Sequence, residues 1–336
     1  MNQLHAIRDH RSLRIRHWLV AWFCVMLAAC ATTSGPNSSS RVVDKAPTPP
    51  TPEHQADIET WRAARVARLT APDGWLSLVG LHWLTDGEQT AGSGADNAIR
   101  LASGPARLGV FKVTQQQVWF NADRGPQVFV KYGARMEQDA AGRIWHLLSD
   151  DAAAKPTVIR SEPLTVYLIM RGGKPALRVK DPNAPTRAGF KGIDYFPIDA
   201  DFKVQARFVP HAEPTYFDIQ TVLGTIDKMQ TPGVLYFTIA GKEYSLHPVL
   251  EEGSADWFFI FADRTNGRET YGPGRFLYAP PAVNGVTTID FNRSYNPPCA
   301  FSAYSTCPLP PPENRLNLRV TAGEKKYRGP GGHEGM

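Results

Sequence analysis

Hydrophobic and polar residues alternate with a period of two along much of this chain. Phe202, Val204, Ala206 and Phe208 are interleaved with Lys203, Gln205 and Arg207. Phe217, Ile219, Thr221 and Leu223 repeat the pattern, as do Leu316, Leu318 and Val320. Successive side chains of a strand point to opposite faces, so this spacing predicts half-buried strands. Short apolar runs at 76–84, 109–113, 164–170, 234–240, 257–261 and 286–291 each end in turn residues. Many short strands punctuated by Gly, Pro and Asn predict a mainly β chain of β-sandwich or barrel-like antiparallel sheets. No helix-length pattern alternates with them, which argues against a doubly wound α/β fold. One segment departs from period two. Thr51-Pro52-Glu53 has the residues of a helix start, with a hydroxyl N-cap, proline at N1 and an acid in the first turn. Ile58, Trp61, Val66 and Leu69 then give an apolar face, and Pro72-Asp73-Gly74 stops it. The expectation is a single N-terminal amphipathic helix.

The first thirty residues follow a different logic. Arg8, Arg11, Arg14 and Arg16 precede an apolar stretch, Trp18 to Ala28, that is too short to span ~30 Å of hydrocarbon. A basic flank, a short apolar core and small residues before a cut are the marks of a secretory signal, here assigned to 1–29. Leu27-Ala28-Ala29-Cys30 resembles the lipobox of bacterial lipoproteins. That resemblance implies acylation of Cys30, and Ala31 after it implies sorting to the outer membrane, facing the periplasm. A plain signal peptide and a retained helix are the alternatives. Residues 30–51, rich in Ser, Thr and Pro, read as a flexible tether.

Composition now changes meaning. The chain has 336 residues and a formal charge of +5, with 42% hydrophobic and 21% charged residues, which excludes a disordered chain. The +5 invites a nucleic-acid reading. Residues 1–29, however, hold four Arg and one Asp, 4 − 1 = +3, which leaves 5 − 3 = +2 for the rest. No nucleic-acid partner is expected.

Cys24 and Cys30 belong to the leader and its lipid site, leaving Cys299 and Cys307. In an oxidising compartment a disulfide is the favoured reading. Free structural thiols, a metal site and a redox pair are the alternatives, though neither C-x-x-C nor a further ligand accompanies the pair. The remaining histidines are scattered, and no metal or cofactor is expected.

The densest polar and aromatic segment runs from 256 to 325. Asn266-Gly267 between two β-like runs signals a hairpin. Asp263 and Thr265 would then bond turn amides; alternatively Asp263 is an acid/base or cation ligand beside Thr270, Tyr271 and Arg275. Asp290, Asn292, Asn296 and Asn314 surround a Pro-rich loop and either cap its backbone or line a site built on it. Signatures of hydrolases, P-loops and dinucleotide sites are missing. Trp61, Trp75, Trp83, Trp119, Trp145 and Trp257 either fill a β core or form a glycan platform.

Residues 75–180 resemble a forkhead-associated-type β-sandwich in shape, without that family's phosphothreonine-reading loop residues. FADRTNGRETYGPGRFL, DFNRSYNPPCAFSAYSTCPLPPPENRL and TAGEKKY resemble an uncharacterised bacterial lipoprotein family, a domain of unknown function, as do GWLSLVGLHWL at 74–84 and RGGKPALRVKD at 171–181. The resemblance covers most of 74–327 and implies no reaction. The expected regions are 52–180, a helix plus β-sandwich; 181–327, the signature β region; and 328–336, a disordered tail. Two functions follow. The first is a lipid-anchored envelope protein that binds a small molecule, glycan or protein through the rigid 290–314 loop, with Thr270, Asn292, Tyr295, Asn296 and Asn314 as contacts. The second is a hydrolase-like enzyme using Asp263, Asp290 and Glu324, with Tyr271, Arg275 and Lys325 stabilising an anion.

Overall fold

Helix α1, Pro52–Thr70, begins where the sequence places it. Thr51 Oγ1 accepts from the His54 amide at 3.2 Å, and Pro52 occupies the first turn, where no amide donor is needed. Its buried residues are Ile58 and Leu69, as the apolar spacing predicts, together with His54 and Arg65. Those two polar residues reach the far end of the chain: His54 Nε2 lies 2.7 Å from the Asp290 carboxylate, and Arg65 Nε lies 3.0 Å from Glu324. The helix is therefore docked by a buried ion pair from Arg65 and a buried histidine–carboxylate hydrogen bond, as well as by apolar contact.

The computed structural model describes residues 45–133 and 135–331. The leader, Cys30, most of the tether and the last five residues lie outside the described residues. Within the segment read as tether, Thr48 is already packed: its amide donates to Asp199 at 3.1 Å and its carbonyl accepts from Ala200 at 2.9 Å.

After a 3₁₀ turn at Trp75–Ser77 come β1 (Leu78–Trp83), β2 (Gly87–Gly92), β3 (Ile99–Arg100), β4 (Gly109–Thr114), β5 (Gln117–Ala122), β6 (Phe129–Lys131), β7 (Arg135–Gln138), β8 (Ile144–Leu147), β9 (Val158–Ser161), β10 (Leu164–Arg171) and β11 (Lys174–Lys180). They form a five-stranded sheet, order β1-β11-β10-β9-β6, and a six-stranded sheet, order β3-β2-β4-β5-β8-β7. All pairings are antiparallel except the short β2–β3 pair. Phe111, Val118 and Phe120 from one sheet share a core with Val166, Leu168, Leu177 and Val179 from the other, which makes the pair a sandwich.

A single helical turn, α2 (Pro185–Ala188), leads to β12 (Lys203–Gln220), β13 (Ile226–Ile239), β14 (Lys242–Leu246), β15 (Trp257–Phe261), β16 (Arg275–Ala279) and β17 (Val286–Asp290). A four-stranded sheet, order β14-β13-β12-β17, packs Leu235, Phe237 and Ile289 against Phe259, Phe261 and Leu277 of the two-stranded β15–β16 sheet. The fold is mainly β, with antiparallel sheets and one long helix, as the alternation predicts. One run departs from expectation. Leu316, Leu318 and Val320 face the core, but the segment forms no strand. Its partner is the turn after β15, and the Val320 amide and carbonyl bond the side chains of Asp263 and Arg275 instead of a ladder.

A third apolar cluster joins α1 to the Pro-rich loop through Leu69, Phe258, Phe276, Phe301 and Tyr327. It encloses Cys299 and Cys307, which are disulfide-bonded with Cα atoms 6.1 Å apart. From Ala46 onward the chain is one compact unit.

Candidate functional site

The carboxylates of the signature region are held in separate clusters of partners. Asp263 and Arg275 form an ion pair at 2.7 Å in which both side chains are fully buried. Asp263 Oδ1 also accepts from the Thr265 amide (2.8 Å), the Thr265 hydroxyl (2.6 Å) and the Val320 amide (3.2 Å). Arg275 donates to the carbonyls of Ala322 at 2.5 Å and Val320 at 2.9 Å. The Asn266-Gly267 turn does lie between paired strands, with Gly267 at φ 81°. It sits within the longer connection 262–274 and is not a two-residue turn. Asp263 is the acid that organises that connection.

Asp290 binds His54 through one oxygen and the Asn292 amide (3.0 Å) and side chain (2.9 Å) through the other. Asn292 in turn bonds both the amide and the carbonyl of Asp199. Glu324, wholly buried, accepts from Arg65 Nε at 3.0 Å and the Asn296 amide at 2.8 Å. Asn296 donates to the Lys325 carbonyl (2.7 Å), and Asn314 clamps His247 and Ile260. Thr270 pairs with the Thr265 hydroxyl at 2.8 Å. The Tyr271 hydroxyl is buried without a partner, and that burial pushes its pKa up to about 12. Lys325 places Nζ 4.9 Å from the centre of the Phe196 ring. Asp263, Arg275, Asp290, Asn292, Asn296, Asn314 and Glu324 thus tie backbone segments together. Of the predicted set, Tyr295 lines a cavity beside α1, together with Cys307 of the disulfide.

That cavity holds about 720 Å³, enough for a small organic ligand. Four pieces of chain build it. The C-terminal half of α1 contributes Trp61, Arg65, Arg68 and Leu69. The turn after α1 contributes Asp73 and Trp75, and here glycine is required: a Cβ at Gly74 would stand 2.5 Å from the Arg68 carbonyl oxygen. The β10–β11 hairpin contributes Arg171, Arg178 and Lys180. The opposite wall is Asp227, Met229, Glu251, Phe258, Phe276, Tyr278 and Tyr295, closed by Pro298 and residues 305–308 of the disulfide loop.

The wall chemistry is polarised. Tyr278 and Tyr295 stack at 6.2 Å with planes 12° apart, and the Tyr278 hydroxyl donates to Glu251 at 2.5 Å. Burial raises the pKa of both phenols, so they remain neutral hydrogen-bonding rings. Arg65 lies 4.6 Å over the Tyr295 ring while bonded to Glu324. Arg171 is paired with Asp151 through two bonds of 3.0 and 2.6 Å. Burial lowers the Lys180 pKa, opposed by Asp73. The described residues contain no cluster of three or more metal-ligating side chains.

Residues 188–325 match a protein family of unknown function, DUF1684. This chain carries a DUF1684 domain. Among solved structures, the solution NMR structure of an uncharacterised protein of Haloarcula marismortui is 33% identical, covering 40% of this chain and 77% of that one, with a TM-score of 0.35. No curated protein matches the chain. The matched segment includes the Pro-rich disulfide loop, whereas the strings at 74–84 and 171–181 lie outside it.

The DUF1684 domain supplies four rings of the cavity, Phe258, Phe276, Tyr278 and Tyr295, and two of its acids, Asp227 and Glu251, while Trp61 and Trp75 come from residues before it. All five cations, Arg65, Arg68, Arg171, Arg178 and Lys180, come from residues before it. Sequence reasoning did not single out those cations, while Trp61 and Trp75 were among the tryptophans read as core or as a glycan platform. The usable signal was the alternation in Leu164–Arg171 and Lys174–Lys180, which sets Tyr167, Arg171, Arg178 and Lys180 on one face and the sandwich core on the other. The six tryptophans divide. Trp119, Trp145 and Trp257 are buried, Trp83 is exposed, and Trp61 and Trp75 line the cavity.

Proposed function

We propose that this protein is a lipid-anchored component of the bacterial cell envelope that binds a small ligand in the cavity between α1, the β10–β11 hairpin and the DUF1684 domain. The observation that carries the binding role is the cavity itself: about 720 Å³ lined by stacked rings and cations. The disulfide loop, expected to be the binding element, forms one wall of it through Tyr295, Pro298 and residues 305–308. The anchor rests on the Leu27-Ala28-Ala29-Cys30 lipobox with its basic flank, and a disulfide fits an oxidising compartment outside the cytoplasm. The hydrolase alternative draws no support from the site, because Asp263, Asp290 and Glu324 each have their oxygens occupied by structural partners.

The test is a titration of the purified full-length protein with N-phenyl-1-naphthylamine, a neutral fused-ring fluorophore. Saturable one-to-one binding is expected, with a change in emission from Trp61 and Trp75. Met229→Trp, which fills the cavity, should abolish binding while leaving the thermal midpoint near wild type. Binding that survives this substitution, or no saturable binding at all, overturns the cavity as the site.

A further inference from the structure

The β10–β11 hairpin carries an electrostatic asymmetry. Its inward face, Val166, Leu168, Leu177 and Val179, belongs to the sandwich core. Its other face brings cations against the C-terminal half, and they are not treated alike. Buried arginines ordinarily have carboxylate partners, because an uncompensated charge is costly away from water. Arg65 has Glu324, Arg171 has Asp151 and Arg275 has Asp263. Arg178 is only 3% exposed and has no carboxylate partner among the described residues. Its Nη2 donates to the Thr306 hydroxyl at 3.2 Å, its Cζ lies 5.3 Å from the centre of the Trp75 ring and 5.9 Å from that of Tyr167, whose phenol also faces it, and its Nε has no partner.

The donors around it are also underused. Lys180 Nζ gives one hydrogen to the Asp73 carbonyl at 2.6 Å, and an ammonium has three. Thr306 Oγ1 accepts from both Arg171 Nε and Arg178 Nη2, each at 3.2 Å, so its own O–H is free to donate. The acids of the cavity are engaged with other groups. Glu251 holds the Tyr278 hydroxyl, Asp227 acts on Arg171, and Asp73 acts on Lys180 from one side. Among the described residues no carboxylate bonds Arg178 or Thr306, and Lys180 bonds the Asp73 backbone, not its carboxylate.

We infer that the ligand of this cavity is a carboxylate or phosphate carried on a flat ring, its anion set against Arg178, Lys180 and Thr306 and its ring against the Trp61, Tyr278 and Tyr295 side. The inference rests on the cavity being the ligand site. A planar guanidinium, an ammonium and a hydroxyl together suit either oxyanion, and charge-assisted bonds to them are the stronger kind.

A matched pair of probes tests this: N-phenyl-1-naphthylamine and 1-anilinonaphthalene-8-sulfonate, which share one ring body and differ by a sulfonate. The full-length protein should bind the sulfonate at least about tenfold more tightly, as one or two charge-assisted bonds provide. Arg178→Gln and Lys180→Gln should each erase most of that preference while keeping the affinity for the neutral probe. Retention of the neutral probe reports that the cavity is intact, and if Arg178→Gln does not fold, Lys180→Gln decides alone. Displacement of the sulfonate by phenyl phosphate but not benzoate assigns a phosphate ligand, the reverse assigns a carboxylate, and displacement by phenol as strong as by either anion overturns the inference. Equal affinity for the two probes, or an undiminished preference in the folded variants, also overturns it and leaves the cavity reading standing. Loss of both probes with Met229→Trp, alongside retained neutral binding in the charge variants, separates the two claims.

Discussion

A buried carboxylate beside a buried arginine invites a catalytic reading, and Asp263 with Arg275 was the natural candidate. What decides against it is the number of other bonds each group makes. Asp263 accepts four hydrogen bonds and Arg275 reaches two carbonyls of the chain's last segment at 3 Å or less. The pair therefore fastens the 318–324 segment, which forms no strand of its own, to β16. Removing one member leaves the other as an uncompensated charge with no water to take its place. We predict that Asp263→Ala lowers unfolding free energy by about 3–5 kcal/mol, read from urea denaturation. The double variant Asp263→Leu with Arg275→Met should recover much of that loss, since two apolar groups of similar size need no counter-charge. A single variant of unchanged stability that had lost ligand binding would sink the structural assignment.

At the scale of elements, the Pro-rich loop depends on its disulfide. Prolines fix φ and remove donors, so 297–312 cannot hold itself by a ladder. Cys299 and Cys307, both buried, close a loop of sequence separation 8. The chain-entropy model gives such a closure about 2.5 kcal/mol. Joint replacement by Ser should lower stability in guanidinium denaturation by about that amount, and Thr306 and Pro308 on the same loop mean that affinity in the cavity should fall too. Full stability together with two titratable thiols in the wild type would refute the bond. The same scale shows what the sequence could disclose. Helix α1 was legible because a cap, a proline and apolar spacing are all local, and so were most strands. His54 and Arg65 on its buried face were not, since their partners Asp290 and Glu324 lie 236 and 259 residues away. The alternation around Arg178 and Lys180 was equally visible. Nothing local says that the face they share is covered by another part of the chain, which turns a solvated stripe into a cavity wall.

At the scale of the whole molecule, charge and address are linked. The overall +5 falls to +2 once residues 1–29 are set aside, so the basic excess lies mainly in those residues. The ordered structure is described from residue 45, and Thr48 is already bonded to Asp199. On the lipoprotein reading, residues 31–44 would be the spacer between Cys30 and the described chain. Acyl chains on Cys30 would contribute about 0.8 kcal/mol per buried methylene, far more than any surface contact of a nearly neutral body. Cys30→Ser should therefore move the protein from the membrane fraction to the soluble fraction of envelope preparations. It should leave the thermal midpoint of the folded part and its affinity for N-phenyl-1-naphthylamine unchanged, because the compact unit that holds the cavity begins at Ala46. Continued sedimentation of Cys30→Ser with membranes after a high-salt wash would reject lipid as the anchor and shift attention to the exposed apolar side chains Phe129, Met136 and Ile144 on the sandwich edge.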